Sequence, residues 1–242
     1  MVPSLIRGLR AQGRNPLRLF VDIAKRISGR DTDDFIRFLF ESYPLRPETI
    51  IQGYCNGFFP MPSRASGQVH WCAPRQRGVL PIDGVHIEKG TRRIAGQGRF
   101  RVSLDTAFGR VIDNCAANAN RRHGSWITRE IIDAYTELHH MGMAHSVEVW
   151  QEEQLVGGMY GIALGSYFAG ESQFHLVDNA GKVGFHRLCQ GLQASGFMLH
   201  DIQHVSPHLR QLGGREIPRH EFKQHLVRAL VKPARLALTP AP

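Results

Sequence analysis

The sequence predicts an α+β fold from the order of its segments. Amphipathic helical segments come first, three strand-like runs joined by short turns come next, and one further helix and strand follow. The chain has 242 residues, of which 42% are hydrophobic and 21% are charged, so it can bury a substantial core. It contains no Rossmann or P-loop fingerprint and no internal repeat.

The first part of the chain predicts a basic helical extension over residues 1–46. Two stretches there, LRLFVDIAKRI and DDFIRFLFESY, place apolar residues at helical spacing. A compact helix is predicted at residues 47–57, with Pro47 near its start and Gly57 past its end. Residues 58–104 read as loops and short extended pieces. Residues 47–100 are therefore predicted to form a small N-terminal domain.

The remaining elements predict a larger domain over residues 101–232, followed by a tail over residues 233–242. Two amphipathic helices are predicted at 104–117 and 127–142. Strands at 145–150, 154–164 and 166–174 are separated by short turns, which favour antiparallel neighbours. A helix over about 178–195 then leads to a last buried strand at 197–205. The predicted sheet is mostly antiparallel and flanked by helices.

The charge of the chain favours an anionic partner. Thirty Lys and Arg against 21 Asp and Glu give a net charge of +9, which favours polyanions, nucleic acid first. A solvated basic surface explains the charge on its own equally well. The excess is concentrated in residues 1–30, where seven basic residues stand against the single acidic residue Asp22.

The cysteines and the hydropathy point to a cytoplasmic protein. The four cysteines are widely separated and form no CxxC pair, so a zinc knuckle or a disulfide framework is not expected. No run approaches the roughly 18 apolar residues that span a bilayer, so no membrane partner is expected. The histidines show no metal-ligand spacing, and no local signature supports a Ser-His-Asp triad. A monomer is expected.

Two strand-like stretches carry carboxylates beside amides. In FAGESQFH, strand alternation would place Glu171 and Gln173 on one face. In FMLHDIQHV, the same alternation places Asp201 and Gln203 together, with His200 on the opposite face. A buried carboxylate is costly unless it is paired, so each acid either binds a ligand or forms an internal salt bridge with an arginine. Both explanations stay open at this level.

One motif suggests a different enzyme class. Residues 93–98 fit the R-x-x-G-x-G loop with which acyl-CoA N-acetyltransferases grip a pyrophosphate. Such a loop works at the start of a helix, where backbone amides face the anion. Here the alternating stretch RFRVSL follows, so we expect the match to be accidental. A CoA-dependent N-acetyltransferase is kept as the alternative enzyme.

The order and spacing of several longer motifs carry a family resemblance. GYCNGFFP, SWITREIIDAY, HSVEVW, LVGGMYGIALGSYFAGES, DIQ and LGGREIPR occur in sequence, and the chain resembles bacterial leucyl/phenylalanyl-tRNA–protein transferase over residues 47–230. The resemblance implies a small N-terminal domain joined to an N-acyltransferase-like (GNAT-like) catalytic domain.

That family moves Leu, Phe or Met from aminoacyl-tRNA to the α-amino group of proteins that begin with Arg or Lys, which creates a degradation signal. The resemblance implies no metal and no cofactor. An aminoacyl ester is already activated and an α-amino group titrates near ~8, so binding amine and ester together supplies much of the catalysis.

The resemblance assigns roles to matched residues. Glu171 would receive the Arg or Lys side chain of the acceptor protein, a charge-assisted contact. Asp201 and Gln203 would be catalytic, orienting the α-amine and easing its deprotonation. Trp126 and Met159 would line the pocket for the acyl side chain and the terminal adenosine.

Two arginines and two departures from the family pattern are the last residues that the resemblance singles out. Arg92 and Arg93 would meet phosphates of the tRNA acceptor end. Gln173 stands where the family usually has Met, and Met61 stands where it usually has Trp, which puts the identity of the donated amino acid in question. An unpaired amide in an apolar pocket costs about 1–3 kcal/mol. The two departures also suggest a third alternative, a non-catalytic member that binds tRNA or degrons.

Overall fold

The computed structural model describes residues 45–62, 69–117 and 126–238. The helices predicted within residues 1–43 lie outside these ranges. The elements, in chain order, are α1 (Pro47–Cys55), β1 (Phe59–Pro62), β2 (Val69–Cys72), β3 (Gln76–Leu80), α2 (Lys89–Gly96), β4 (Arg101–Leu104), α3 (Phe108–Ala117), α4 (Arg129–His140), β5 (Ala144–Gln151), β6 (Gln154–Leu164), β7 (Tyr167–His175), α5 (Ala180–Ala194), β8 (Leu199–Gln203), α6 (Pro207–Gln211), β9 (Arg215–Pro218) and α7 (Arg219–Val231).

The predicted α+β class is confirmed. A seven-stranded sheet has the order β4-β5-β6-β7-β8-β3-β9, and β1 pairs with β2 in a separate two-stranded sheet. Neighbouring strands are antiparallel except for β7 and β8, which run parallel and are joined through helix α5. Strand β3, which lies within the predicted N-terminal domain of residues 47–100, pairs with both β8 and β9 in this large sheet.

The two faces of the sheet carry different cores. One face holds the largest apolar cluster, in which Tyr135, Tyr160 and Phe174 meet side chains from α1, α3, α4 and α7. The other face packs against α5 through a smaller cluster that includes Met159, Phe168 and Leu188. The alternation of side chains along each central strand sends neighbouring residues into these two separate clusters.

Helix α2 corrects the expectation of loops and extended pieces before residue 104. Its sequence, KGTRRIAG, contains Gly90 and Gly96, which are poor helix formers, so local propensity argued against a helix. Ile94 and Ala95 nevertheless pack beside Val183 of α5, and this tertiary contact stabilises the turn. Most residues of α2 remain exposed, Arg92 and Arg93 among them.

The predicted tail makes ordered contacts in its first part. Leu236 is buried against the cluster on the α5 side of the sheet, and the backbone N–H of Ala237 donates to Ser195 Oγ at 3.1 Å. Residues 233–238 therefore help to cover α5. Among the described residues, no helix is both long enough and apolar enough to cross a membrane.

Candidate active site

A cavity opens where strands β7 and β8 separate. The parallel pairing joins Tyr167 with Leu199, Phe168 with His200 and Ala169 with Asp201, and then it stops. Beyond this point the strands diverge around a cavity of about 700 Å³. Its lining includes the polar residues Glu171, Gln173 and Gln203 and a set of apolar residues on the α5 side of the sheet, Met159, Phe168, Phe185 and Leu188.

A β-bulge sets the direction of Glu171. Gly161 pairs with Gly170 and Tyr160 pairs with Ser172, so Glu171 is an extra residue on β7. Its carboxylate points to the face of the large apolar cluster, where it accepts hydrogen bonds from Tyr54 and Tyr135. The prediction that Gln173 shares this face is wrong, because Gln173 pairs with Met159 on the opposite face.

The carboxylate of Glu171 is held by three neutral donors. Tyr54 OH donates to Oε1 at 2.5 Å, Gln203 Nε2 donates to Oε1 at 3.2 Å, and Tyr135 OH donates to Oε2 at 3.3 Å. Burial raises the pKa of Glu171 to about 7, because it outweighs the stabilising hydrogen bonds, and the charge of Asp201 adds to the rise. This carboxyl group therefore titrates near neutral pH.

Asp201 lies beside Glu171 but in a different environment. It is fully buried and forms a bidentate ion pair with Arg77, whose Nε and Nη2 donate at 2.8 and 2.6 Å. Tyr167 OH donates to Oδ2 at 2.6 Å, and the backbone N–H of Gln203 donates to Oδ1 at 2.8 Å. Of the two explanations left open by the sequence, the internal salt bridge is the one observed for Asp201.

Arg77 is itself enclosed. Its side chain is 1% exposed, and its guanidinium lies 4.3 Å from the ring centroid of Phe59 and 4.8 Å from that of Phe222. Its Nη1 donates to the carbonyl of Gly57 at 3.2 Å. Although burial disfavours the charged form, Asp201 holds the pKa of Arg77 above its ordinary value. The ion pair is thus enclosed by two aromatic rings on the Arg77 side and by further hydrogen-bond donors on the Asp201 side.

Gln203 connects the two acids. Its backbone N–H binds Asp201 and its side-chain amide binds Glu171. Its φ of +59° lies in the left-handed region, which is unfavourable for a residue with a side chain. Register between β3 and β8 shifts at this point, so Gln203 leaves the regular strand and lines the cavity. A strained residue held between two carboxylates is typical of a functional site.

The comparison with known proteins identifies the family. The family model for leucyl/phenylalanyl-tRNA protein transferase matches residues 79–227, and the model for its N-terminal domain matches residues 44–75. The chain belongs to this family. It is 42% identical to the leucyl/phenylalanyl-tRNA–protein transferase of Chlorobaculum parvum, over 78% of this chain and 97% of that relative. The family resemblance found in the sequence is therefore confirmed.

Two further relatives give the same result. The transferase of Salinibacter ruber is 46% identical over 77% of this chain and 80% of its own length. The transferase of Azotobacter vinelandii is 46% identical over 78% of this chain and 84% of its own length. The range matched by the N-terminal model ends at residue 75 and the range matched by the other model begins at residue 79, so the gap between them falls at the start of β3.

Of the remaining predicted site residues of this family member, some line the cavity and others do not. Met159 and Gln173 line it. Trp126 and Met61 are partly buried against the large apolar cluster instead, and neither is among the described residues that line the cavity. Arg92 and Arg93 are exposed on α2, and Thr91 of the same helix lines the cavity.

The R-x-x-G-x-G match of this family member lies at the end of a helix. Arg93 is in the last turn of α2, which ends at Gly96, and β4 follows at Arg101. No helix begins at residues 93–98, so the backbone amides that such a loop needs are not presented there. Within the described ranges, no group of three or more His, Cys, Asp or Glu residues is placed to hold a metal ion.

Sequence reasoning missed Tyr54, Tyr135, Tyr167 and Arg77. All three tyrosines are fully buried, and their hydroxyl groups bind the two acids. Burial, reinforced by the neighbouring carboxylates, raises the pKa of each phenol well above its ordinary value, so each acts as a donor. A signal was present, because tyrosines on the apolar faces of α1 and α4 need hydrogen-bond partners.

Proposed function

We propose that this transferase joins the acyl group of an aminoacyl-tRNA to the α-amino group of proteins that begin with Arg or Lys, which marks them for degradation. One observation carries the proposal. The half-buried carboxylate of Glu171 lies beside the amide of Gln203 at the rim of a cavity whose inner walls are apolar. Such a cavity provides one place for a cation and another for an apolar acyl side chain.

The reaction is aminolysis of an ester. The neutral α-amine attacks the acyl carbonyl carbon, the bond from that carbon to the tRNA ribose oxygen breaks, and the proton lost by the amine ends on that oxygen. An α-amine with a pKa of about 8 is partly neutral at physiological pH, so no stronger nucleophile has to be generated. Holding the two reactants together supplies effective molarities of about 10⁵ M or more.

Glu171 is proposed to receive the cationic side chain of the acceptor. Burial raises the pKa of Glu171 to about 7, so the protein's own groups stabilise its carboxylate only in part. An incoming guanidinium or ammonium group would favour the charged form and form a charge-assisted hydrogen bond. An acceptor with a neutral first residue would leave the carboxyl group without this partner.

Gln203 is proposed to contact the α-amine, and Asp201 to act through it. Because the amide nitrogen of Gln203 faces Glu171, its Oε1 is left to accept a proton-bearing group of the substrate. Asp201 accepts hydrogen bonds from Arg77, Tyr167 and the Gln203 backbone and is fully buried. This revises the role expected for Asp201, which becomes a positioning residue that holds Gln203 in its strained conformation.

The tRNA is proposed to reach the cavity across helix α2. Arg92 and Arg93 are exposed there, and Thr91 lines the cavity, so phosphates near the acceptor end would lie close to the acyl group. The charges of Arg187 and Arg92 contribute, after burial, to the lowered pKa of His186 on α5, which places these cations near one another. The surface beside the cavity is therefore suited to an anionic partner.

The deciding experiment compares acceptor peptides. Purified protein is incubated with leucyl- or phenylalanyl-tRNA and with two peptides that differ only in their first residue, Arg or Met. We expect transfer to the Arg peptide and little to the Met peptide, and we expect Glu171→Ala to reduce transfer to the Arg peptide more than it reduces tRNA binding. Equal loss of transfer and tRNA binding would overturn the role of Glu171.

Binding without any transfer would indicate the non-catalytic alternative, and heat on titration with acetyl-CoA would indicate the CoA-dependent one.

A further inference from the structure

A buried histidine lines the cavity. His200 of β8 is 2% exposed and lines the cavity, and it pairs with Phe168 of β7. Its ring centroid lies 5.6 Å from that of Phe168 at an angle of 74°, and 6.0 Å from that of Phe185 at 33°. A polar ring therefore sits between two phenylalanines in the part of the cavity where the other walls are apolar.

The imidazole of His200 has unused hydrogen-bonding capacity. None of the described residues forms a hydrogen bond with its ring nitrogens. Burial lowers the pKa of His200 to about 4, and the charge of Asp201 opposes this only in part, so the ring is neutral at physiological pH. A neutral imidazole offers one N–H donor and one nitrogen acceptor. Because His200 lines the cavity, this donor and this acceptor are available to a ligand group.

The register of the sheet places the buried His200 and the exposed Gln173 on the same face. Both lie on the α5 side of the sheet, because His200 pairs with Phe168 and Gln173 pairs with Met159 of the same cluster. Phe168 and Gln173 lie five residues apart along β7, with the bulge at Glu171 between them. Gln173 is exposed whereas Phe168 is buried, so the two polar side chains would meet different parts of a ligand.

The chemistry of the acyl side chain decides what could pair with His200. His200 lies beside Phe168 and Phe185, among the apolar residues on the α5 side of the sheet. A leucine side chain has no hydrogen-bonding group, whereas the hydroxyl at the end of a tyrosine ring can both donate and accept.

We infer that His200 makes this cavity accept an aromatic acyl side chain that ends in a hydroxyl group, so that tyrosyl donors are used at least as well as phenylalanyl donors. This inference rests on the proposed transfer reaction. The two flanking phenylalanines favour a flat ring, and a hydroxyl group can both donate to and accept from the neutral imidazole. Charged side chains are disfavoured, because a neutral ring among apolar walls cannot compensate a charge.

The first test measures donor selectivity with one tRNA body acylated with either Tyr or Phe. We expect a Tyr to Phe ratio of kcat/KM of one or more, falling about tenfold in His200→Phe, which keeps the aromatic ring and removes both nitrogens. His200→Leu serves as a second apolar variant, and His200→Gln, which restores a neutral donor and acceptor, should recover part of the ratio. A wild-type ratio well below one that none of these variants changes would overturn the inference.

The second test measures binding without transfer, so its outcome is separate from that of the proposed reaction. Amide-linked 3′-tyrosyl- and 3′-phenylalanyl-adenosine analogues, which cannot donate their acyl group, are titrated into wild-type protein and the same variants. Stronger binding of the tyrosyl analogue by wild type, lost in His200→Phe and partly kept in His200→Gln, supports the role of His200. Equal weakening of both analogues in every variant would show a purely structural role and overturn it. Absence of transfer from every donor would refute the proposed function while leaving this binding result to decide the inference.

Discussion

Replacing Arg77 by Met is the sharpest test of how the site is held. The substitution keeps an unbranched apolar stem between Phe59 and Phe222 but removes both hydrogen bonds to Asp201 and the one to the carbonyl of Gly57. Asp201 would keep only the donors from Tyr167 and from the backbone of Gln203. A fully buried carboxylate would then remain without its counter-ion.

The expected loss of stability follows from the burial of both partners. Arg77 is 1% exposed and Asp201 is 0% exposed, so water cannot replace the lost guanidinium. Breaking such a buried pair from one side costs about 3–5 kcal/mol of the free energy of unfolding. Removing both charges in Arg77→Met with Asp201→Asn leaves no uncompensated ion, so the double variant should be more stable than the sum of the single losses by at least about 1 kcal/mol.

The assay is urea unfolding followed by circular dichroism. The free energy of unfolding is compared among wild type, Arg77→Met, Asp201→Asn and the double variant. Arg75→Met is the matched control, because Arg75 is exposed and lies two residues away, and its change should stay within about 0.5 kcal/mol. A loss below about 1 kcal/mol in Arg77→Met, or strict additivity in the double variant, would refute the view that this ion pair organises the site.

Three further predictions concern Glu171 and the bulge beside it. Because the pKa of Glu171 is raised to about 7, its carboxylate forms as the pH rises through that value, so the KM for an Arg-initiated peptide should fall there and should lose this dependence in Glu171→Gln; a variant that keeps the same profile would contradict the assignment. The folded chain binds this proton more tightly than the unfolded chain, in which the pKa is 4.5, so the free energy of unfolding should fall as the pH rises from there to about 7. Glu171→Gln should flatten that decrease. Gly161→Ala would place a Cβ against the carbonyl oxygen of Ala169 and the ring of Phe168, so it should lower the unfolding free energy by about 1–3 kcal/mol. Gly96→Ala, whose Cβ would meet nothing within 4 Å, should not lower it. Equal urea midpoints for the two variants would contradict the register at the bulge.

The sequence by itself determined the class of fold and most of its elements. The helices predicted near residues 47, 104, 127 and 178 and the strands predicted near 145, 154 and 166 are all present within a few residues of their expected bounds. These elements are readable because apolar spacing at periods of 3.6 and 2 is a property of neighbouring residues. Helix α2 was missed for the converse reason, since its local sequence is unfavourable and contact with α5 stabilises it.

The site needed the tertiary structure. The carboxylates of Glu171 and Asp201 were visible as costly residues in strands, but the sequence could not say which of them has an internal cation. Arg77 lies 124 residues from Asp201, and Tyr54 lies 117 residues from Glu171, so only the folded sheet brings them together. A bulge of one residue also turned Gln173 away from Glu171. Local periodicity determines which face a regular strand presents, whereas register, bulges and long-range pairing depend on the packing of the whole chain.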